Sequence, residues 1–107
     1  MKNNTNYKLY LVTDRNILAE KSLETAVKEA IEGGVTLVQL REKDISSLEF
    51  YHTALRLKQI TSQYHIPLMI NDRLDIALAV DAEGIHLGQK DIPCTVARKL
   101  MGKNKII

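Results

Sequence analysis

The chain has 107 residues, with 15 Lys or Arg against 13 Asp or Glu and a formal net charge of +2. At 45% hydrophobic and 26% charged residues, it has the composition of one ordinary globular domain, which argues against disorder. The charge is too evenly balanced for nucleic-acid binding as a main role. The single cysteine, Cys94, permits no internal disulfide, so a reducing cytoplasm is the expected compartment.

Residues 1–6 are polar and read as a loose tail. The first apolar run, Leu9 to Val12, is too short for a signal-peptide core or a membrane span, so no membrane association is expected. A first strand is expected over about Lys8 to Thr13. Ser22 is placed to cap a helix with Glu24 in its first turn, and Leu23, Ala26, Val27, Ala30 and Ile31 form its apolar face. Gly33-Gly34 ends that helix, with Gly33 expected as the left-handed cap, and a second strand follows at once. Ser46 and Glu49 have capping-box spacing and open a long helix to about Tyr64. Its expected stripe is Leu48, Tyr51, Ala54, Leu55 and Lys58, widened by Leu57 and Ile60. Pro67 introduces a third strand, Leu74 to Val80 a short helix, and Gly84 a fourth strand. Asp91 or a neighbour is expected to cap a fourth helix, with Pro93 in its first turn and Gly102 at its end. Lys105 to Ile107 begins a fifth strand.

The four apolar runs share one pattern. Leu9 to Val12 stops at Thr13-Asp14-Arg15. The run from Val35 contains Gln39 and stops at Arg41-Glu42-Lys43-Asp44. Pro67 to Ile70 stops at Asn71-Asp72-Arg73, and Gly84 to Leu87 stops at Gly88-Gln89-Lys90-Asp91. Strands alternating with helices predict right-handed βαβ units, a parallel sheet, and a ligand site at the carboxyl ends of the strands. Four complete βα units and the start of a fifth amount to half of a (β/α)8 barrel, which takes roughly 200 residues or more. The expected architecture is therefore α/β, with residues 1–107 the amino-terminal half of a single TIM-barrel domain. A small open sheet complete in itself is the alternative.

Side chains alternate along a strand, so Gln39, Arg41 and Lys43 are expected on one face. An amide, a guanidinium and an ammonium together suit a polar anion rather than a packing layer. Asp72 and Asp91, each following a strand, suit one Mg²⁺ that keeps waters and takes substrate phosphates as further ligands. Plainer readings exist for each residue. Asp72-Arg73 and Asp14-Arg15 can be loop ion pairs, Gln39 can satisfy a backbone group, and His86 can be structural. His52 and His65 read as surface residues, and Cys94 as packed near a helix start.

Taken together, Tyr10-Leu-Val-Thr-Asp-Arg15, Gly33-Gly-Val-Thr-Leu-Val-Gln-Leu-Arg-Glu-Lys-Asp44, Pro67-Leu-Met-Ile-Asn-Asp-Arg73 and Gly84-Ile-His-Leu-Gly-Gln-Lys-Asp91 resemble the thiamine phosphate synthase family. The resemblance runs nearly end to end but covers only the amino-terminal half of that family's barrel. It implies a transferase that condenses hydroxymethylpyrimidine pyrophosphate with hydroxyethylthiazole phosphate, giving thiamine phosphate and pyrophosphate. Gln39 resembles the amide that contacts the pyrimidine. Arg41 and Lys43, joined by Asn71, resemble the pyrophosphate ligands, and Asp72 and Asp91 resemble the Mg²⁺ ligands. His86 resembles the histidine near the pyrimidine and completes, with Arg41 and Lys43, the implied catalytic set. In the family, loss of pyrophosphate leaves a stabilised pyrimidine cation that the thiazole nitrogen attacks, so no protein nucleophile is needed. The loops that hold the thiazole phosphate in the family lie beyond Ile107, so the chain alone is expected to be inactive. Two other readings compete. One is a thiazole tautomerase paralogue, which would need no pyrophosphate–metal site. The other is a non-catalytic half-barrel that binds pyrophosphate ligands or pairs with another chain, including a second copy of itself.

Overall fold

The computed structural model describes residues 8–13 and 22–107. The expected tail at residues 1–6 and the Asp14-Arg15 pair lie outside the described residues. The elements alternate as β1 (Tyr10–Val12), α1 (Leu23–Glu32), β2 (Leu37–Leu40), α2 (Ser47–Gln63), β3 (Leu68–Asn71), α3 (Leu74–Ala79), β4 (Gly84–His86) and α4 (Cys94–Met101). The sheet order is β1-β2-β3-β4, and every pairing is parallel. Tyr10 lies beside Leu37, Gln39 beside Met69, and Asn71 beside His86. After α4 the chain returns to the sheet, where Ile106 bridges Gly84 in parallel. That bridge needs glycine: a Cβ on Gly84 would stand 2.5 Å from the Ile106 carbonyl oxygen.

Strand alternation divides the sheet into two faces. Val38, Leu40, Leu68, Ile70 and Ile85 point into the main core, together with Leu23, Val27 and Ile31 of α1 and Phe50, Ala54 and Leu57 of α2. On the opposite face a smaller apolar cluster joins Leu37, Met69 and Ile106. An open half-barrel sheet would be expected to leave the apolar runs at Leu9, Val35, Leu68 and Ile85 lining an exposed surface, and the structure corrects this. Val35, Leu68 and Ile85 are buried, and the exposed apolar positions at this edge are Leu9, just before β1, and Tyr10 and Val12 within it.

The first two helices start at their caps. Ser22 Oγ accepts the Thr25 N–H, and Ser46 Oγ accepts the Glu49 N–H. Three expectations need correction. Gly33 is helical (φ −84°), and its N–H still reaches Glu29 and Ala30, so the left-handed residue is Gly34 (φ +117°). In α2 the buried residues are Phe50, Thr53, Ala54, Leu57 and Thr61, while Leu48 is 64% exposed. The helix is turned toward Phe50, its largest fully buried side chain, whose burial releases more apolar surface from water than Leu48 would. Finally, Asp91 does not cap α4. Pro93 occupies that position without a side-chain cap, while the Asp91 carboxylate accepts the Gly88 N–H at 2.6 Å within its own turn. Cys94 is exposed as the first residue of α4.

Two ion pairs give the fold an acid limb. Hydrogen bonds from Arg73 hold the Asp75 carboxyl below its usual 3.8, and a hydrogen bond from Lys105 does the same for Asp81. A lowered folded-state pKa adds stability above the unfolded value and loses it as pH falls through the folded value. Both carboxylates are largely exposed, so the contribution is modest. The double variant Asp75→Asn/Asp81→Asn is expected to lose less melting temperature between pH 6 and about pH 3 than the parent does. Parallel melting curves for parent and variant across that range would remove these pairs from the account.

Candidate active site

The polar strand ends converge on the face opposite the helices. Gln39 and Asn71 are the last polar positions of β2 and β3 on that face, above Leu37 and Met69, and both are buried (3% and 8% exposed). A buried amide is costly unless its donors and acceptors find partners. Here they find each other: Asn71 Nδ2 donates to Gln39 Oε1 at 2.8 Å. Lys43 reaches back over β3, and its Nζ donates to Asn71 Oδ1 at 2.9 Å and to Asp72 Oδ2 at 2.7 Å. At the other end Gln39 Nε2 donates to the Tyr10 hydroxyl at 2.7 Å. One hydrogen-bonded line thus runs from β1 across β2 and β3 to the turn after β3.

That turn is unusual. Asp72 has φ +55°, a left-handed backbone that Asp and Asn tolerate better than most residues and that gathers at functional sites. Its N–H donates to the His86 carbonyl of β4 at 2.8 Å, which ties the turn to the next strand. Arg73 turns away from the site. Its guanidinium binds Asp75 and the Ser47 hydroxyl and sits 5.6 Å from the centre of the Phe50 ring, clamping α3 to α2. The Asp75 hydrogen bonds raise its pKa further and keep it charged. The ion pair expected within Asp72-Arg73 is therefore not the one formed. Asp72 pairs with Lys43, and Arg73 pairs with Asp75.

The structure joins Gln39, Lys43, Asn71 and Asp72 directly. Arg41, His86 and Asp91 stand at the same carboxyl edge, with no side-chain hydrogen bond to that line among the described residues. Arg41 is exposed and held through its backbone, whose N–H donates to Thr13 Oγ1 at 3.1 Å. His86 is exposed at the end of β4. Among the described residues, no three His, Cys, Asp or Glu side chains gather as a protein-only metal site requires. A metal at this edge would take carboxylate oxygens from Asp72 and Asp91 and the rest from water and substrate, which is how Mg²⁺ is commonly held. The donor set fits. Asp72 uses Oδ2 for Lys43 and Asp91 uses Oδ2 for Gly88, and neither Oδ1 accepts a hydrogen bond from a described residue.

Sequence reasoning passed over Tyr10. The available signal was alternation: Tyr10 shares its strand face with Val12, which lies beside Gln39, and it carries the hydroxyl of an otherwise apolar run.

Parallel βα units with a hydrogen-bonded polar edge at their carboxyl ends define an α/β protein of the kind that binds its ligand across adjacent strand ends. Residues 9–107 match the thiamine monophosphate synthase family, and the chain belongs to it. A thiamine-phosphate synthase from Clostridium acetobutylicum is 62% identical over 104 residues, covering 97% of this chain and 49% of that protein. A thiamine-phosphate synthase from Clostridium botulinum (strain Eklund 17B) is 60% identical over 107 residues, all of this chain and 50% of the relative. Among solved structures, a thiamine phosphate pyrophosphorylase from Pyrococcus furiosus superposes with a TM-score of 0.81 at 42% identity, over 87% of this chain and 45% of that one. The chain spans about half the length of the curated relatives it matches. Among the described residues, no helix is long and apolar enough to cross a membrane.

Proposed function

We propose that this chain carries the pyrimidine–pyrophosphate half of a thiamine phosphate synthase active site. The enzyme is a cytoplasmic transferase that joins hydroxymethylpyrimidine pyrophosphate to hydroxyethylthiazole phosphate and releases pyrophosphate. The observation that carries the reading is the line Gln39–Asn71–Lys43–Asp72, which seats two amides, a cation and a carboxylate at the ends of β2 and β3. In this reading residues 1–107 are four βα units of one (β/α)8 barrel. The exposed edge at Leu9, Tyr10 and Val12 is where the rest of the barrel, or a second copy, packs.

The residues divide the work by charge. Gln39 offers hydrogen bonds to the pyrimidine ring, and His86 lies at the neighbouring strand end beside it. Lys43, already oriented by Asn71, presents an ammonium to the pyrophosphate, and exposed Arg41 has the reach and fork geometry for a second grip. Positive charge placed where negative charge develops on a departing group lowers the barrier to its departure. Asp72 and Asp91 would hold Mg²⁺, which when bound supplies further positive charge to the phosphate oxygens. The tautomerase reading leaves the Lys43–Asp72 pair without a task.

The test is pyrophosphate release by the full-length protein. Release should require both substrates and Mg²⁺, and release with either substrate missing would remove the synthase reading. Residues 1–107 expressed alone should form no thiamine phosphate, and formation by a stable monomer would overturn the half-barrel assignment.

Arg41→Ala and Lys43→Ala should each lower kcat/KM for the pyrophosphate substrate by about 10- to 100-fold, equivalent to roughly 1.4–2.8 kcal/mol per charge-assisted contact. An effect confined to the KM of the thiazole phosphate would show that the two substrates are assigned to the wrong halves.

A further inference from the structure

The hydrogen bonds across the site all run in one direction, and the direction has a cause. A lysine ammonium only donates. The Asn71 atom facing Lys43 must therefore be Oδ1, which leaves Nδ2 to face Gln39. The Gln39 atom facing Asn71 must then be Oε1, which leaves Nε2 to face Tyr10. The Tyr10 hydroxyl accepts from Nε2 at 2.7 Å and sends its own proton toward Met69 Sδ at 3.6 Å. The charge on Lys43 thus sets the orientation of an amide two residues further along the line.

We propose that Tyr10 is a positioning residue of this site: as the acceptor of the Gln39 N–H in the donor line from Lys43, it holds the Gln39 amide in one orientation and so fixes which hydrogen-bonding edge of a ring the site accepts. This rests on the synthase reading above. An amide so held has its second N–H on the Tyr10 side and its second oxygen lone pair on the Asn71 side. The complementary ring edge pairs an unprotonated ring nitrogen with an adjacent amino group. Replacing that amino group by an oxo group reverses the edge, because the ring nitrogen becomes a donor and the substituent an acceptor. A site built around fixed polar groups rejects such a reversed partner by leaving both groups unpaired.

The experiment compares the full-length parent with Tyr10→Phe. Two substrates are used: the aminopyrimidine pyrophosphate and its oxo counterpart. The parent should favour the amino ring strongly. Tyr10→Phe should reduce the ratio of the two kcat/KM values by roughly 3- to 10-fold, the worth of one ordinary hydrogen bond. Inhibition by inorganic pyrophosphate and the KM for the thiazole phosphate should not change, whereas a merely structural role for Tyr10 would move them together with the melting temperature. Tyr10→Trp is a second variant. Its N–H can only donate and so opposes Gln39 Nε2, and it should lower the ratio at least as far. Normal turnover with an unchanged ratio in both variants overturns the role of Tyr10 alone. A parent that turns over neither pyrimidine pyrophosphate overturns the synthase reading and this inference with it.

Discussion

Asp72→Ala is expected to abolish Mg²⁺-dependent turnover of the full-length protein. Three observations converge on this residue. Its carboxylate takes the Lys43 ammonium at 2.7 Å, its backbone sits at φ +55°, and its N–H is bound to the β4 carbonyl of His86. Removing the carboxylate takes away one of the two proposed Mg²⁺ ligands and leaves Lys43 with Asn71 alone. Alanine also adds backbone strain, of order 1 kcal/mol, because it tolerates the left-handed region poorly. Asp72→Asn separates the two effects. It keeps the side-chain shape and the tolerance for positive φ but removes the charge. Both variants should lose activity, while Asp72→Asn should melt close to the parent. Undiminished turnover at ordinary Mg²⁺ in either variant would end the assignment of Asp72 as a metal ligand.

The largest expected loss of stability lies at the other end of the sheet. Glu83 bonds Lys58 of α2 through Oε2 and accepts the Leu68 N–H through Oε1 at 2.8 Å, so it clamps α2 and the first residue of β3 to the entry of β4. Both charged side chains are mostly buried, at 19% and 17% exposed. Glu83→Ala strands a mostly buried ammonium and a buried N–H together, and the expected loss is about 3 kcal/mol. Glu83→Gln keeps an acceptor for Leu68 and should lose roughly half as much. Urea denaturation at neutral pH measures both. A Glu83→Ala protein within about 0.5 kcal/mol of the parent would show that Lys58 and the Leu68 N–H reach water once the carboxylate is gone and that the clamp adds little.

Much of the fold was legible along the chain because its signals are local. Ser22 and Ser46 are capping residues whose partners lie three positions away, and the helices begin where these caps place them. The parallel sheet followed from four apolar runs separated by helix-length segments. What misled was rotation about a helix axis. The residues of α2 offer two overlapping apolar arcs, one through Leu48 and Tyr51 and one through Phe50 and Leu57, and periodicity does not choose between them. The sheet and the flanking helices do, by the volume they leave for Phe50. The Asp91 cap failed for a related reason: a carboxylate three residues after a glycine can close its own turn, and that contact is nearer than the helix.

The sequence by itself determined that this is an α/β chain of parallel βα units with its charged residues at the strand ends, because strand alternation, caps and turn residues act over a few positions. It also determined which residue types reach that edge: Gln39, Arg41, Lys43, Asn71, Asp72, His86 and Asp91. Only the tertiary structure decided how they pair. The register of three strands brings Tyr10, Gln39 and Asn71 into one line although they are 29 and 32 positions apart. The pairing of Lys43 with Asp72 rather than of Arg73 with Asp72 depends on Phe50, Ser47 and Asp75 drawing Arg73 away. Long-range partners compete for the same charged group, and the winner is set by distance and burial, which residue spacing does not contain.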